Sequence, residues 1–191
     1  MSDEQPPMVE VRITPTVPKW LGPALMAIFA FALNIGAYMV IPDALISRLG
    51  EFGYVGAFLT ALIGNATVVV PIPYMGVIAR LGQILDPFSV AVVAAVGSAV
   101  GESVSFFIGR AGHRLAEGTS LYTWIHAQLQ HPMRAFVVLM LLSAPPNPTF
   151  DVAGILAGAL DIPFWLFFSA VCLGRIARMS LITFGAQWIL G

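Results

Sequence analysis

Apolar stretches of two lengths alternate along the chain, and the lengths separate segments that can cross a bilayer from segments that cannot. Residues 20–41 (WLGPALMAIFAFALNIGAYMVI) and 88–109 (FSVAVVAAVGSAVGESVSFFIG) hold one charge between them, Glu102. Each is about 22 residues long, enough for a helix to span a hydrocarbon core of about 30 Å. Pro23 falls in the first turn of the first span, where a missing N–H costs little. Residues 54–70 (YVGAFLTALIGNATVVV) are apolar too, but Pro71 and Pro73 end them. The piece that follows, up to Asp86-Pro87, has about 12 residues and rises about 18 Å, too little to cross alone. Two broken pieces back to back predict a re-entrant hairpin that enters to mid-depth, turns at Pro71-Ile72-Pro73 and leaves on the same side. Irregular backbone at that depth must be buried in protein or line a wet cavity, because lipid satisfies no freed N–H or C=O group.

Residues 135–191 repeat this layout. AFVVLMLLSA runs into Pro145, Pro146, Asn147 and Pro148, TFDVAGILAGALDIPF returns to Pro163-Phe164, and WLFFSAVCLGRIARMSLITFGAQWIL forms a last span. Pro71-x-Pro73 answers Pro146-x-Pro148, Gly82 answers Gly158, Asp86 answers Asp161, and Pro87-Phe88 answers Pro163-Phe164, with one residue of slack between the prolines and the glycine. The predicted fold is an all-α integral membrane protein. One N-terminal transmembrane helix precedes an inverted repeat, residues 54–109 and 135–191, each unit a re-entrant helical hairpin plus a transmembrane helix.

Polar segments connect these elements. Residues 1–19 read as a polar cytoplasmic tail without the features of a signal peptide. Residues 42–53 form a polar connection with Asp43, Arg48 and Glu51, and residues 110–134 a water-facing loop. Within that loop Leu121, Trp124, Ile125 and Leu129 recur at helical spacing and predict an interfacial helix. With the tail inside, Arg12, Lys19, Arg110, Arg114 and Arg134 lie inside and Arg48 outside, in keeping with the positive-inside rule. This orientation inverts the two repeats and brings their hairpin tips together near the midplane.

Composition agrees with the pattern. The chain is 58% hydrophobic and 10% charged, against about 25% charged residues in soluble domains. A net charge of −1 without a block of like charge gives nucleic acid nothing to bind. The one cysteine, Cys172, excludes an intrachain disulfide, and the three histidines have no metal-ligand spacing, so neither metal nor cofactor is expected. No nucleophile and base pair or phosphate loop appears, so an enzyme is not expected either.

Ionisable groups at depth are expensive and therefore functional candidates. The candidates for a substrate pathway are Glu102, Asp151, Arg175 and Arg178, with Arg80 and Arg110 nearer the faces. Superposing the repeats through Pro87 and Pro163 sets Glu102 opposite Arg178, which predicts an ion pair across the pseudo-axis. Asp151 could instead cap the returning leg of the second hairpin. Gly97 and Gly101, like Gly154 and Gly158, have the spacing that lets helix backbones approach closely.

Three stretches, PIPYMGVIARLG, GSAVGESVSFFIGRAGHRL and PPNPTFDVAGILAGALDIPFWLFFSAVCLGRIAR, together resemble the DedA/VTT (SNARE-associated Golgi protein) superfamily over roughly residues 54–190, the second half most like its vacuole membrane protein branch. The resemblance implies two facing re-entrant hairpins and movement of lipid between leaflets, by phospholipid scrambling or lipid-phosphate translocation, in a bacterial cytoplasmic membrane. Tyr74-Met75 replaces the family's usual Gly-Glu, and Ser143, Ala144 and Thr149 take the place of its usual arginines around the second proline turn, which points to a less selective scramblase. Membrane lipids are the expected partners, with a homo-oligomer open. An ion-coupled transporter of a small solute and a non-transporting assembly protein are the alternatives.

Overall fold

A computed structural model describes residues 21–66, 73–112, 131–145 and 150–190. The polar tail, the interfacial helix around Trp124, and Pro71, Pro146, Asn147 and Pro148 lie outside the described residues. Eight helices make up the described part: α1 (Leu21–Val40), α2 (Asp43–Glu51), α3 (Tyr54–Ala66), α4 (Tyr74–Ile84), α5 (Pro87–Ala111), α6 (Pro132–Ser143), α7 (Phe150–Ala159) and α8 (Phe164–Leu190).

Two of these, α5 and α8, are long and apolar enough to cross a bilayer, and α1 with α2 is a third if that bent pair is one span. The chain is an integral membrane protein. Helices α3, α6 and α7 are apolar but have only 13, 12 and 10 residues, so each rises about 20 Å or less.

Local chemistry fixes the ends. Asp86 precedes α5 in extended conformation, its carboxylate accepts the Ser89 N–H at 2.7 Å, and Pro87 takes the first helical position. This hydrogen bonding to Ser89 holds the exposed Asp86 carboxyl below its ordinary value of 3.8. Its sequence counterpart behaves differently. Asp161 terminates α7 in the left-handed region (φ 56), where the Ile162 N–H reaches back to the Ala157 carbonyl at 3.2 Å.

The segment 42–53, expected as a polar connection, contains helix α2, turned 88° from α1. Ile46 and Leu49, at i and i+3, are its reason: Ile46 is buried and Leu49 packs on the core beneath.

Helices α5 and α8 pack on each other at the centre, and each carries one helix from its own half of the chain and one from the other. Helix α5 carries α3 and α7, whereas α8 carries α6 and α4, and α1 lies against α4. Two apolar cores result. One gathers Ile46, Ala57, Ala61, Ile78, Leu81 and Val90, and the other Phe106, Leu139, Phe150, Phe167 and Val171. Lipid is as apolar as these side chains, so close fit and hydrogen bonds hold helices together here, more than burial does. At Gly97 and Gly101 a Cβ would collide with the α3 carbonyls of Phe58 and Leu62, and at Gly158 with the α5 carbonyl of Phe106. Gly154 faces the carboxylate of Glu102 itself, 3.1 Å from where its Cβ would stand.

Candidate functional site

Where α5 and α8 meet, an apolar interior encloses a polar cluster drawn from five helices. Helix α5 supplies Glu102, α8 supplies Arg175 and Arg178 one turn apart, α7 supplies Asp151, and α3 and α4 supply Asn65 and Tyr74. Glu102 is fully buried and the two arginines are each 3% exposed. Charges so enclosed persist only with partners.

Glu102 pairs with Arg175, Oε2 to Nη2 at 2.8 Å, and not with Arg178 as the repeat superposition predicts. Its other oxygen, Oε1, accepts the Ser105 hydroxyl at 3.0 Å. Arg175 also donates Nη1 to Asn65 Oδ1 at 2.8 Å and to the Tyr74 hydroxyl oxygen at 3.1 Å, and stands 5.1 Å from the ring centre of Phe150. Arg178 donates Nη2 to that same Tyr74 oxygen at 3.1 Å and Nη1 to the Pro145 carbonyl at 3.3 Å. Among the described residues it has no carboxylate partner. Nε of Arg175, Nε of Arg178 and the Ser98 hydroxyl are buried without a hydrogen bond.

Asp151 lies in the first turn of α7, half-buried, close enough to Glu102 and Arg175 for both to act on its carboxyl. It joins the charge cluster, a different role from the helix cap weighed from the sequence. Two neighbouring carboxyls and two guanidiniums thus share one buried polar network, whose members depend on one another for their partners.

The other two arginines are engaged elsewhere. Arg80 donates to the Ile41 carbonyl at 2.8 Å and pairs with Asp43, closing the end of α1. Arg110 stands 3.4 Å from Asp161 and donates to the Ile162 carbonyl at 3.3 Å, fixing the α7–α8 turn. Neither is part of the cluster; both stand nearer the ends of the helices they hold.

Asn65 and Tyr74 were not among the sequence candidates. The signal for Asn65 was present, since an amide in an otherwise apolar helix needs a partner; Nδ2 donates to the Ala61 carbonyl at 2.8 Å, which leaves Oδ1 to face Arg175. Tyr74 stood out solely as a departure from a family pattern. Among the described residues no group of three or more His, Cys, Asp and Glu side chains is gathered as a metal site.

Comparisons with known proteins bear on this cluster. The family described as the VTT domain matches residues 72–187, a stretch that contains Tyr74, Glu102, Asp151, Arg175 and Arg178. The vacuole membrane protein KMS1 of Arabidopsis thaliana is 35% identical over 107 residues, covering 44% of this chain and 25% of that protein. Its counterpart KMS2 is 30% identical over 104 residues, covering 44% and 24%. Vacuole membrane protein 1 of Homo sapiens is 29% identical over 109 residues, covering 45% and 27%. The matches thus span about a quarter of the length of these relatives. No solved structure matches the chain.

Proposed function

The chain belongs to the VTT domain family, and from that premise we propose that it moves phospholipid between leaflets, the headgroup passing through the buried cluster while the acyl chains stay in lipid. The observation that carries the reading is Arg178, a guanidinium 3% exposed, with an unpaired Nε and only neutral partners among the described residues. A phosphodiester is the counterion such a group lacks, and a headgroup crossing hydrocarbon must trade water for donors of this kind.

The same reading takes α3 with α4 and α6 with α7 as two re-entrant hairpins of an inverted repeat. What supports it is the crosswise packing, each short returning helix lying on the long helix of the other half. Membrane lipid is then the partner, and transport, with no bond made or broken, the activity. The contact between Asp151 and Glu102 favours a second reading, translocation coupled to a proton gradient.

The test is lipid flipping in proteoliposomes that carry a fluorescent phospholipid in both leaflets, with a membrane-impermeant quencher added outside. Wild type loses nearly all fluorescence, and protein-free vesicles lose about half. Arg178→Ala slows the loss about tenfold, the equivalent of one charge-assisted hydrogen bond, whereas Arg48→Ala leaves it unchanged. Equal rates for wild type and both variants would remove the site; a rate that appears only with an imposed pH gradient selects the second reading.

A further inference from the structure

We infer that Asn34 on α1 is a positioning residue for Tyr74, and through it for both arginines of the cluster. Tyr74 is the first residue of α4, and Pro73 before it gives that helix no side-chain cap. The first N–H groups of a helix lack intrahelical partners, and a cap normally comes from the residue in front. Here it comes from another helix. The Asn34 Nδ2 donates to the Ala30 carbonyl at 2.8 Å, which turns Oδ1 toward α4, where it accepts the Met75 N–H at 3.0 Å.

Gly76 permits this approach, because a Cβ there would stand 2.5 Å from the Asn34 carbonyl oxygen and 2.8 Å from the Tyr38 nitrogen. The far end of α4 is tied to the same helix. Arg80 donates to the Ile41 carbonyl and pairs with Asp43, and the Tyr38 hydroxyl donates to Gln83 Oε1 at 3.2 Å. Helices α1 and α4 are therefore tied together at both ends of α4. On the cluster side the Tyr74 ring fills the space over Gly64, where a Cβ would stand 2.6 to 2.7 Å from it, and its hydroxyl meets Arg175 and Arg178. A shift of the α4 N-terminus moves that oxygen away from two guanidiniums at once. Helix α1 precedes residue 72, where the family match begins, so this chain sets its cluster with a group that lies ahead of the matched region.

Asn34→Leu removes the acceptor while keeping the number and branching of side-chain heavy atoms. Leucine is the better helix former and the cheaper residue in lipid, so general stability is not lost with the cap. The rate measurement rests on the proposed lipid movement; a second readout does not. In the flipping assay Asn34→Leu is expected to slow lipid movement about fivefold, while Ile35→Ala, on the exposed face of α1, matches wild type. Added to Tyr74→Phe, Asn34→Leu is expected to change nothing further, because a residue that acts through the phenol has no effect without it. In parallel, 3-fluorotyrosine placed at position 74 reports its surroundings by 19F NMR, and its signal shifts or broadens with Asn34→Leu but not with Ile35→Ala. Rate losses that multiply in the double variant, or an unchanged rate and 19F signal in Asn34→Leu, overturn the inference. If wild type moves no lipid, the proposed function fails, and the 19F comparison alone decides whether Asn34 places Tyr74.

Discussion

Replacing Glu102 and Arg175 first singly and then together separates what the buried pair does for stability from what it would do for the proposed transport. The pair is 2.8 Å apart, with side-chain exposures of 0% and 4%. Two unit charges about 4 Å apart at an effective dielectric of about 20 attract by about 4 kcal/mol. Desolvation costs several kcal/mol per ion, so the intact pair nearly breaks even against apolar residues of similar size, while removal of one partner strands a buried charge at about 3–5 kcal/mol. Asp151 stands in contact with Glu102 and takes up part of the Arg175 charge, which puts Glu102→Leu near the lower figure. That corresponds to a fall in Tm of about 10 °C, measurable by thermal unfolding in detergent. Arg175→Met in the same chain restores the balance, and the double variant is expected to unfold within a few degrees of wild type. Its lipid flipping, however, is expected to be lost. A Glu102→Leu variant as stable as wild type would refute the buried ion pair, and a stable double variant that flips lipid at the wild-type rate would remove the pair from the pathway.

Three further outcomes follow from packing and caps. Gly158→Ala drives a Cβ into the Phe106 carbonyl and should cost about 1–3 kcal/mol by thermal unfolding, whereas Gly185→Ala, with nothing near its Cβ, should gain up to about 1 kcal/mol. At Asp161, in the left-handed region, Asp161→Gly trades an exposed ion pair for relaxed backbone and should be near neutral, while Asp161→Ala loses the pair and keeps the strain, about 1 kcal/mol less stable than the glycine variant; equal Tm values for the two would refute the strain. The Asp86 carboxyl is held below 3.8 by Ser89. Its contribution is therefore present above that value and disappears as pH falls through the lowered folded value, so Asp86→Ala should unfold at a lower temperature than wild type at pH 7, the difference shrinking once pH falls through that lowered value.

The parts of the fold that length and apolarity decide were legible in the sequence. Helices α5 and α8 begin at Pro87 and Phe164, next to the prolines that mark the predicted spans, and α1 fills residues 20–41 almost end to end. Helix α2 was not legible, because three charges in nine residues look like a loop until a core is there to receive Ile46. The cluster divides in the same way. Glu102, Asp151, Arg175 and Arg178 announce themselves as charges in apolar runs, but the choice of partner depends on how α8 is rotated against α5. Superposing two prolines fixes a residue's height along the helix and leaves that rotation open, so Arg175, one turn earlier, takes the carboxylate. Arg80 and Arg110 carry the same signal as the others. Their roles differ because the chain places carbonyl ends and an aspartate within their reach, Ile41 with Asp43 and Ile162 with Asp161.

The hydrogen-bond inventory of Tyr74 shows why a neutral residue belongs between two arginines. A phenol oxygen accepts two hydrogen bonds and donates one. Here it accepts from Arg175 and Arg178, and its proton lies toward Asn65 Oδ1 at 3.4 Å. Its capacity is filled without adding charge. A carboxylate in its place would pair with Arg178 and complete a balanced set of ions, which an incoming headgroup would have to break at the cost of a buried salt bridge. On the proposed lipid movement, a headgroup would displace one neutral acceptor at tyrosine, a net exchange on the order of 1 kcal/mol, and on leaving would give the guanidinium back to the phenol. A site crossed in both directions, as the proposed function requires, must bind weakly enough to release, and a phenol would supply that weakness. By the same reasoning Tyr74→Glu should bind Arg178 permanently and flip lipid more slowly, beyond the stability lost with the buried ring; faster flipping in that variant would show that the acceptor's charge, and not its neutrality, serves the passage.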